Sequence, residues 1–256
     1  MRLAMFSDIH GNPIAFNAVL EDIAARGGVD GYCVLGDLVA IGYGPPGVLE
    51  RLAALPNSHF VQGNTDRYVV TGQRPYPSLA DIEADLRLLP RLVEVAQSFA
   101  WTQGHVSATG WFDRLARLPL EVRLELPGGL RILCVHVAPG QEDGAGLHPM
   151  LSDAELSEHV RQVSADLIVA GHTHRPIDRS VDGIRVLNVG SVSNPHAADR
   201  RACYAILEAT ETRLYDRAVS RGVRLSVCDR CDPTIPPSSR RVHCATLPPV
   251  SDNAGM

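Results

Sequence analysis

No stretch of this 256-residue chain holds the roughly 20 consecutive apolar residues that a helix needs to cross a bilayer. Basic stripes are missing too. The formal net charge is −5, which gives no support for a groove for long nucleic acid or for a polybasic membrane patch. No Gly-x-Ser-x-Gly elbow and no Walker-type loop occurs, so neither a serine nucleophile nor a phosphate-cradling P-loop is indicated. Cysteine is sparse and scattered. Cys33, Cys134 and Cys203 sit inside apolar strand-like runs and read as buried free thiols, not as a disulfide framework. Residues 1–6 are too few for a signal peptide and run straight into Ser7-Asp8. The expectation is a cytoplasmic protein with no membrane partner and no long nucleic acid.

What is present is an ordinary apolar content of 45%, ample for one core plus an accessory segment. Strand-like and helix-like runs alternate at the start. A strand over 2–7 breaks at Asp8-Ile9-His10. A helix over about 13–26 follows, with Ile14, Ala18, Val19, Leu20 and Ile23 on its apolar side. A strand over 31–35 stops at Gly36-Asp37, a helix spans about 46–55, and a strand over 59–62 stops at Gly63-Asn64-Thr65-Asp66. Alternation of this kind argues for parallel strands with right-handed crossovers, and in such sheets ligands bind beyond the carboxyl ends of the strands.

The middle differs. An insertion over about 74–118 has helical period from Leu79 through Ile82, Leu86, Leu89, Leu92, Val93, Val95 and Ala96, with Pro90 as a break. Ser107 is placed to cap a second helix carrying Trp111, Leu115 and Leu118. A hairpin over 120–135 turns at Pro127-Gly128-Gly129 and leads to His136. A helix over about 153–164, capped by Ser152 or Asp153, precedes a buried strand at 166–170. Short strands at 175–181, 184–189, 202–208 and 213–219 complete a second, more antiparallel set. From about 220 to 256 no period is evident. Cys228, Cys231, His243 and Cys244 form half-patterns of a zinc site, but their spacing matches no tight zinc module, and the segment reads as a tail.

The chemistry collects at strand ends. Gly171-His172-Thr173-His174 follows the strand at 166–170. Taken alone, this loop is equally well read as a pair of surface histidines. Asp8, His10, Asp37, Asn64 and His136 fall at corresponding places. Carboxylate, amide and imidazole donors together suit divalent transition metals. Two such ions, with an aspartate between them, can lower the pKa of bound water and clamp both oxygens of an in-line displacement at phosphorus.

The blocks Asp8-x-His10, Gly36-Asp37, Gly63-Asn64-x-Asp66, His136 and Gly171-His172-x-His174, in this order, resemble the calcineurin-like metallophosphoesterase superfamily, and within it the small prokaryotic phosphodiesterase branch. The resemblance covers residues 1–219. It implies an α/β fold, a four-layer αββα sandwich of two packed sheets with a helical insertion. It also implies two metal ions and a division of their ligands. Asp8, His10, Asp37 and His174 would hold the first metal, and Asp37, Asn64, His136 and His172 the second, with Asp37 bridging. Manganese is the favoured metal, with iron, zinc, nickel and magnesium as alternatives. Asp37, Asn64, Asp66 and His136 would be the catalytic group, Asp66 as an anchor of the loop. Gly190-Ser191-Val192 looks like that branch as well and would support the site through its backbone.

Two departures from the phosphatase branch stand out. Thr65 takes the place of the histidine that ordinarily protonates the leaving group, and no Asp-Arg-Gly run follows Gly36-Asp37. Both lower the weight of a protein Ser/Thr phosphomonoesterase. Arg67 reads equally as a phosphate contact or as a surface partner of Asp66. His105, His148 and His196 read as ordinary loop histidines, and Trp101 and Trp111 as packing. The expected function is hydrolysis of a small phosphodiester or nucleotide-like substrate by a metal-bridging hydroxide. The alternative is a non-catalytic metal-binding scaffold of the same fold.

Overall fold

The computed structural model describes residues 1–196, 200–209 and 223–227. Strand β1 (Arg2–Phe6) starts a sheet in which β2 (Gly31–Val34) and β3 (Ser58–Phe60) run parallel to it. On its other edge β9 (Cys203–Glu208) and β10 (Val223–Val227) add antiparallel strands, giving the order β10-β9-β1-β2-β3. The second sheet is built from β4 (Glu121–Leu126), β5 (Leu130–Val135), β6 (Leu167–Ala170), β7 (Ile177–Val181) and β8 (Ile184–Asn188), in the order β4-β5-β6-β8-β7. Its centre, β5-β6-β8, is parallel, and both edges are antiparallel hairpins.

Side-chain alternation along each strand sets the layers. Leu3, Met5, Cys33 and Leu35 of the first sheet meet Ile132, Cys134, Leu167, Val169 and Leu187 of the second. Ala4, Phe6 and Val34 point the other way, onto helices α1 (Pro13–Ala25) and α2 (Pro45–Ala53). Leu133, Val135 and Ile168 point away from the first sheet, onto α7 (Asp153–Val160). Both faces of the central strands are therefore apolar, which is why they read as continuous hydrophobic runs. The result is the expected four-layer αββα sandwich. Cys33, Cys134 and Cys203 are buried free thiols, and the hydrogen bond between the first two, together with burial, pushes the Cys33 thiol up.

Several expectations are corrected. Ile14 lies 69% exposed, and Phe16 takes its place in the core. The buried stripe of α1 is Phe16, Val19 and Ile23, spaced at three and four, and Ile14 is off that face. In the insertion, α4 (Leu79–Ala84), a 3-10 turn (Leu86–Leu88) and α5 (Leu89–Ala108) are separate pieces. A period read across Asp85 and Pro90 joins faces that point differently, so Leu79, Leu86, Leu89 and Val93 are exposed. Pro90 sits in the first turn of α5, where its missing N–H costs nothing. Ser107 caps no helix. The buried row Val95, Phe99, Thr102, Val106 carries α5 past it, and the next helix, α6 (Phe112–Ala116), begins after Trp111. Trp111 and Leu115 are buried as expected.

Helix α3 (Asn64–Thr71), immediately after β3, had no apolar signature to reveal it. Strand β10 falls within the segment read from sequence as a tail, so the first sheet extends beyond residue 219. The strand expected at 213–219 and the Cys228, Cys231, His243 and Cys244 group lie outside the described residues.

Candidate metal centre

Both sheets end at one rim. β1 delivers Asp8 and His10, β2 Asp37, β3 Asn64, β5 His136, and β6 His172 and His174. Five of these seven, Asp8, His10, Asp37, His172 and His174, hold left-handed backbone with φ between 47° and 69°. Such conformations turn the chain sharply after a strand and are costly for residues with a Cβ. The glycines in the motifs permit close approach. A Cβ on Gly63 would stand 2.1 Å from the Asp37 amide nitrogen, and one on Gly171 would stand 2.0 Å from Ser7 Oγ and 2.8 Å from Asp8 Oδ2.

The candidate ligand atoms converge in two adjoining groups. Asp8, His10 and His174 form one, and Asp8, Asp37 and His136 the other. His10 Nε2 and His174 Nε2 are 3.1 Å apart, and His174 Nε2 is 3.1 Å from Asp8 Oδ1. Asp8 belongs to both groups, and Asp37 reaches from the second toward the first, with Oδ2 3.6 Å from His10 Nε2 and Oδ1 3.4 Å from His136 Nε2. Asn64 Oδ1 joins the second group, 3.0 Å from His136 Nε2 and 3.1 Å from His172 Nδ1. All seven predicted ligands are thus brought together. Asp8, His10, Asp37, His136 and His174 are buried, while Asn64 and His172 are only half-buried, so the centre opens on their side.

Backbone carbonyls hold the outer ring nitrogens. His136 Nδ1 donates to Leu35 O (2.6 Å), His174 Nδ1 to Asn194 O (2.7 Å) and His172 Nε2 to Gly144 O (2.8 Å). A carbonyl only accepts, so each of those nitrogens carries a proton, and the other nitrogen is the one that would bind a cation on giving up its own proton. Asp8 Oδ2 accepts from the His172 amide (2.9 Å), which leaves Oδ1 buried with no hydrogen bond. A buried carboxylate oxygen without a donor is costly unless a cation meets it. That orphaned atom and the mixed carboxylate, amide and imidazole donors fit divalent metal ions. Burial opposes ionisation of Asp8 and Asp37, but the imidazoles of His174 and His136 outweigh it and hold both carboxyls below the usual range.

A profile of the calcineurin-like phosphoesterase superfamily domain matches residues 1–212. The chain belongs to the calcineurin-like phosphoesterase superfamily. It is 28% identical over 229 residues to the uncharacterised protein MJ0912 of Methanocaldococcus jannaschii, covering 83% of this chain and 84% of that protein. Its fold is shared with the hypothetical protein PH1004 of Pyrococcus horikoshii (TM-score 0.68, 19% identity, 88% and 87% of the two chains). A metallophosphoesterase from Sphaerobacter thermophilus shares it as well (TM-score 0.62, 24% identity, 81% and 83%). Membership makes the chain a metal-dependent phosphoesterase by class, and its Asp/His clusters supply the donors that such a class requires.

The remaining predicted residues take distinct places. Asp66 does not face the family's metal centre. Its Oδ1 accepts from Leu38 N (3.0 Å) and Val39 N (3.3 Å) and its Oδ2 from Gly63 N (3.0 Å), tying the Asp37 loop to the Asn64 loop. Burial, and then the Asp37 charge, push its carboxyl up to about 7. Thr65 spends its hydroxyl on Val39 O and its amide on Asp37 Oδ1, so it offers no proton. Arg67 does not pair with Asp66, whose oxygens are taken; it pairs with Asp143 and Glu142. His105 lies on α5, its ring edge-on to Trp101. His196 is not an ordinary loop histidine: its amide donates to His174 O (2.9 Å) and its ring stands 4.9 Å from the His174 ring.

Sequence reasoning missed Asn188. Its Nδ2 donates to Leu147 O, Gly171 O and Thr173 Oγ1, bracing the two-histidine loop from below. The available signal was an amide at the end of a strand whose other residues, apart from Arg185, are apolar. Ser191 was expected to help through its backbone, but its hydroxyl does so directly, donating to Asp8 O (2.9 Å). Tyr68, Asp143 and Gly144 were missed altogether.

Proposed function

We propose that this chain hydrolyses a small phosphodiester or nucleotide-like substrate with two divalent ions, manganese being the favoured pair, in the cytoplasm. The observation that carries the reading is the Asp37 carboxylate with one oxygen toward His10 and the other toward His136, in two adjoining groups of buried ligand atoms that share Asp8. Asp8, His10, Asp37 and His174 would hold one ion, and Asp37, Asn64, His136 and His172 the other. When bound, the ions supply an activated water and neutralise charge on the phosphate.

The protein's own part is to orient and to exclude. Leu35, Asn194 and Gly144 carbonyls keep three imidazoles in the ligating tautomer. Asp66 holds the Asp37 and Asn64 loops at a fixed separation. No ionisable side chain stands at position 65, so a leaving group that needs little protonation suits the site. This favours an activated diester over an alkyl monoester.

The test is turnover of bis(p-nitrophenyl) phosphate against p-nitrophenyl phosphate by protein stripped of metal and reconstituted with manganese. Diester cleavage that needs manganese and falls at least about 100-fold in Asp37→Ala is expected, since loss of even an outer partner of a metal ligand costs roughly 10–100-fold. Preference for the monoester would overturn the diester reading. Metal retained without turnover of either ester would favour the scaffold.

A further inference from the structure

Next to Asn64, on the open side of the centre, the Asp143 carboxylate sits against Arg67 and Tyr68. Asn64, Arg67 and Tyr68 stand at i, i+3 and i+4 on α3, so they share one helix face. The Tyr68 hydroxyl lies against the Asn64 side chain. It donates to Asp143 Oδ2, and Arg67 Nη2 donates to the same oxygen at 3.1 Å. Arg67 Nε is buried with no hydrogen bond, its closest carboxylate being Glu142 at 3.7 Å. A guanidinium, a phenol and one shared carboxylate oxygen form the geometry of an anion held by charge-assisted bonds. Asp143 reaches it from the loop after β5, 76 residues away in sequence. Its side chain is 45% exposed, whereas that of Arg67 is 18% exposed. Gly140, Gly144 and Gly146 bracket the loop with positive φ, and Gly144 O also holds His172. The chain has no lysine, so arginine carries every fixed side-chain cation.

We propose that Arg67 and Tyr68 receive a second phosphate of the substrate, beside the phosphodiester at the metal centre, and that Asp143 occupies their site until this phosphate displaces it. The proposal rests on the phosphodiesterase reading above and names a substrate class within it: short phosphodiesters or nucleotides with an additional terminal phosphate. Arg67 lies roughly 5 Å along the helix axis from Asn64, at 1.5 Å per residue, a spacing suited to a neighbouring phosphate. Displacing Asp143 removes a like charge from the path of the incoming anion, and its half-exposed side chain can swing out while the Gly144 carbonyl keeps its bond to His172.

The probe is a dinucleotide with and without a 5′-phosphate, assayed on the manganese-loaded full chain. The 5′-phosphorylated form is expected to have a KM lower by about tenfold, the equivalent of one partly exposed charge-assisted bond. Arg67→Gln should erase that difference with kcat changed little, and Arg67→Lys should restore part of it. Asp143→Asn keeps the shape and the acceptor for Tyr68 but removes the charge. It should lower KM further for the phosphorylated form alone, and it should give no gain in the Arg67→Gln background. Equal KM for the two dinucleotides, or a preference that survives Arg67→Gln, overturns the proposal. Calorimetric binding of the same pair to metal-stripped protein separates the two readings. Preferential binding without turnover on reloading would defeat the hydrolase and leave the anion site standing. No preference in either assay defeats the anion site.

Discussion

Left-handed backbone at Asp8, His10, Asp37, His172 and His174 means that the candidate ligands are held in conformations their side chains disfavour. Each costs about 1–2 kcal/mol, tolerated because the flanking strands fix the loop ends. The strain can be read separately from the loss of a ligand. In metal-stripped protein His174→Gly and His174→Ala both lose the imidazole and its bond to Asn194 O. The glycine variant should still be more stable, by about 1 kcal/mol in urea unfolding, because only alanine keeps the strained Cβ. Equal stability would mean that the φ of 57° at His174 stores no strain. The residue types at these positions were legible in the sequence because each follows a strand-like run. The braces around them were not: Asn188 and Ser191 carry no motif, and the loops they brace at Thr173 and Asp8 are 15 and 183 residues distant.

At the scale of elements, two of the helices begin at residues whose side chains cap them. Asn12 caps α1, accepting from Ala15 N, and Ser152 caps α7, accepting from Glu155 N. Glu155 in turn accepts from the Ser152 amide and hydroxyl, and these bonds hold its carboxyl below the ordinary value. An acid whose folded pKa is depressed contributes stability above its unfolded pKa of about 4.5, and that contribution is lost as pH falls through the folded value. Glu155→Gln should therefore lower the melting temperature at pH 7 and by progressively less below about pH 4. A decrement independent of pH would assign the effect to shape instead of charge. Where element prediction failed, the reason was tertiary. The insertion's leucines follow a helical period that Asp85 and Pro90 divide among three axes, so no single buried face exists. Helix α3 is held by Asp66 and by packing against its neighbours, with little apolar period of its own.

Across the whole molecule, the centre draws Asp8, His10, Asp37 and Asn64 from the first sheet and His136, His172 and His174 from the second. Metal binding therefore ties the two layers. Any ion that binds only the folded state adds about 2.7 kcal/mol at 100 times its Kd. For a chain of this size that corresponds to a rise of about 5–10 °C in melting temperature. Adding manganese to stripped protein should produce that rise, and Asp37→Ala should abolish it, as read by scanning calorimetry. A rise undiminished in Asp37→Ala would move the ions elsewhere.

By itself the sequence determined the two-sheet α/β class, the strand ends on which function sits, and the residue types there. These follow from local polarity patterns and from glycines that admit no Cβ. Tertiary structure alone decided which imidazole nitrogen faces inward, that Asp37 stands between His10 and His136, and that Asp143 covers Arg67 and Tyr68. Those contacts join strands and loops far apart in the chain, and only the packing of one sheet on the other brings them within bonding distance.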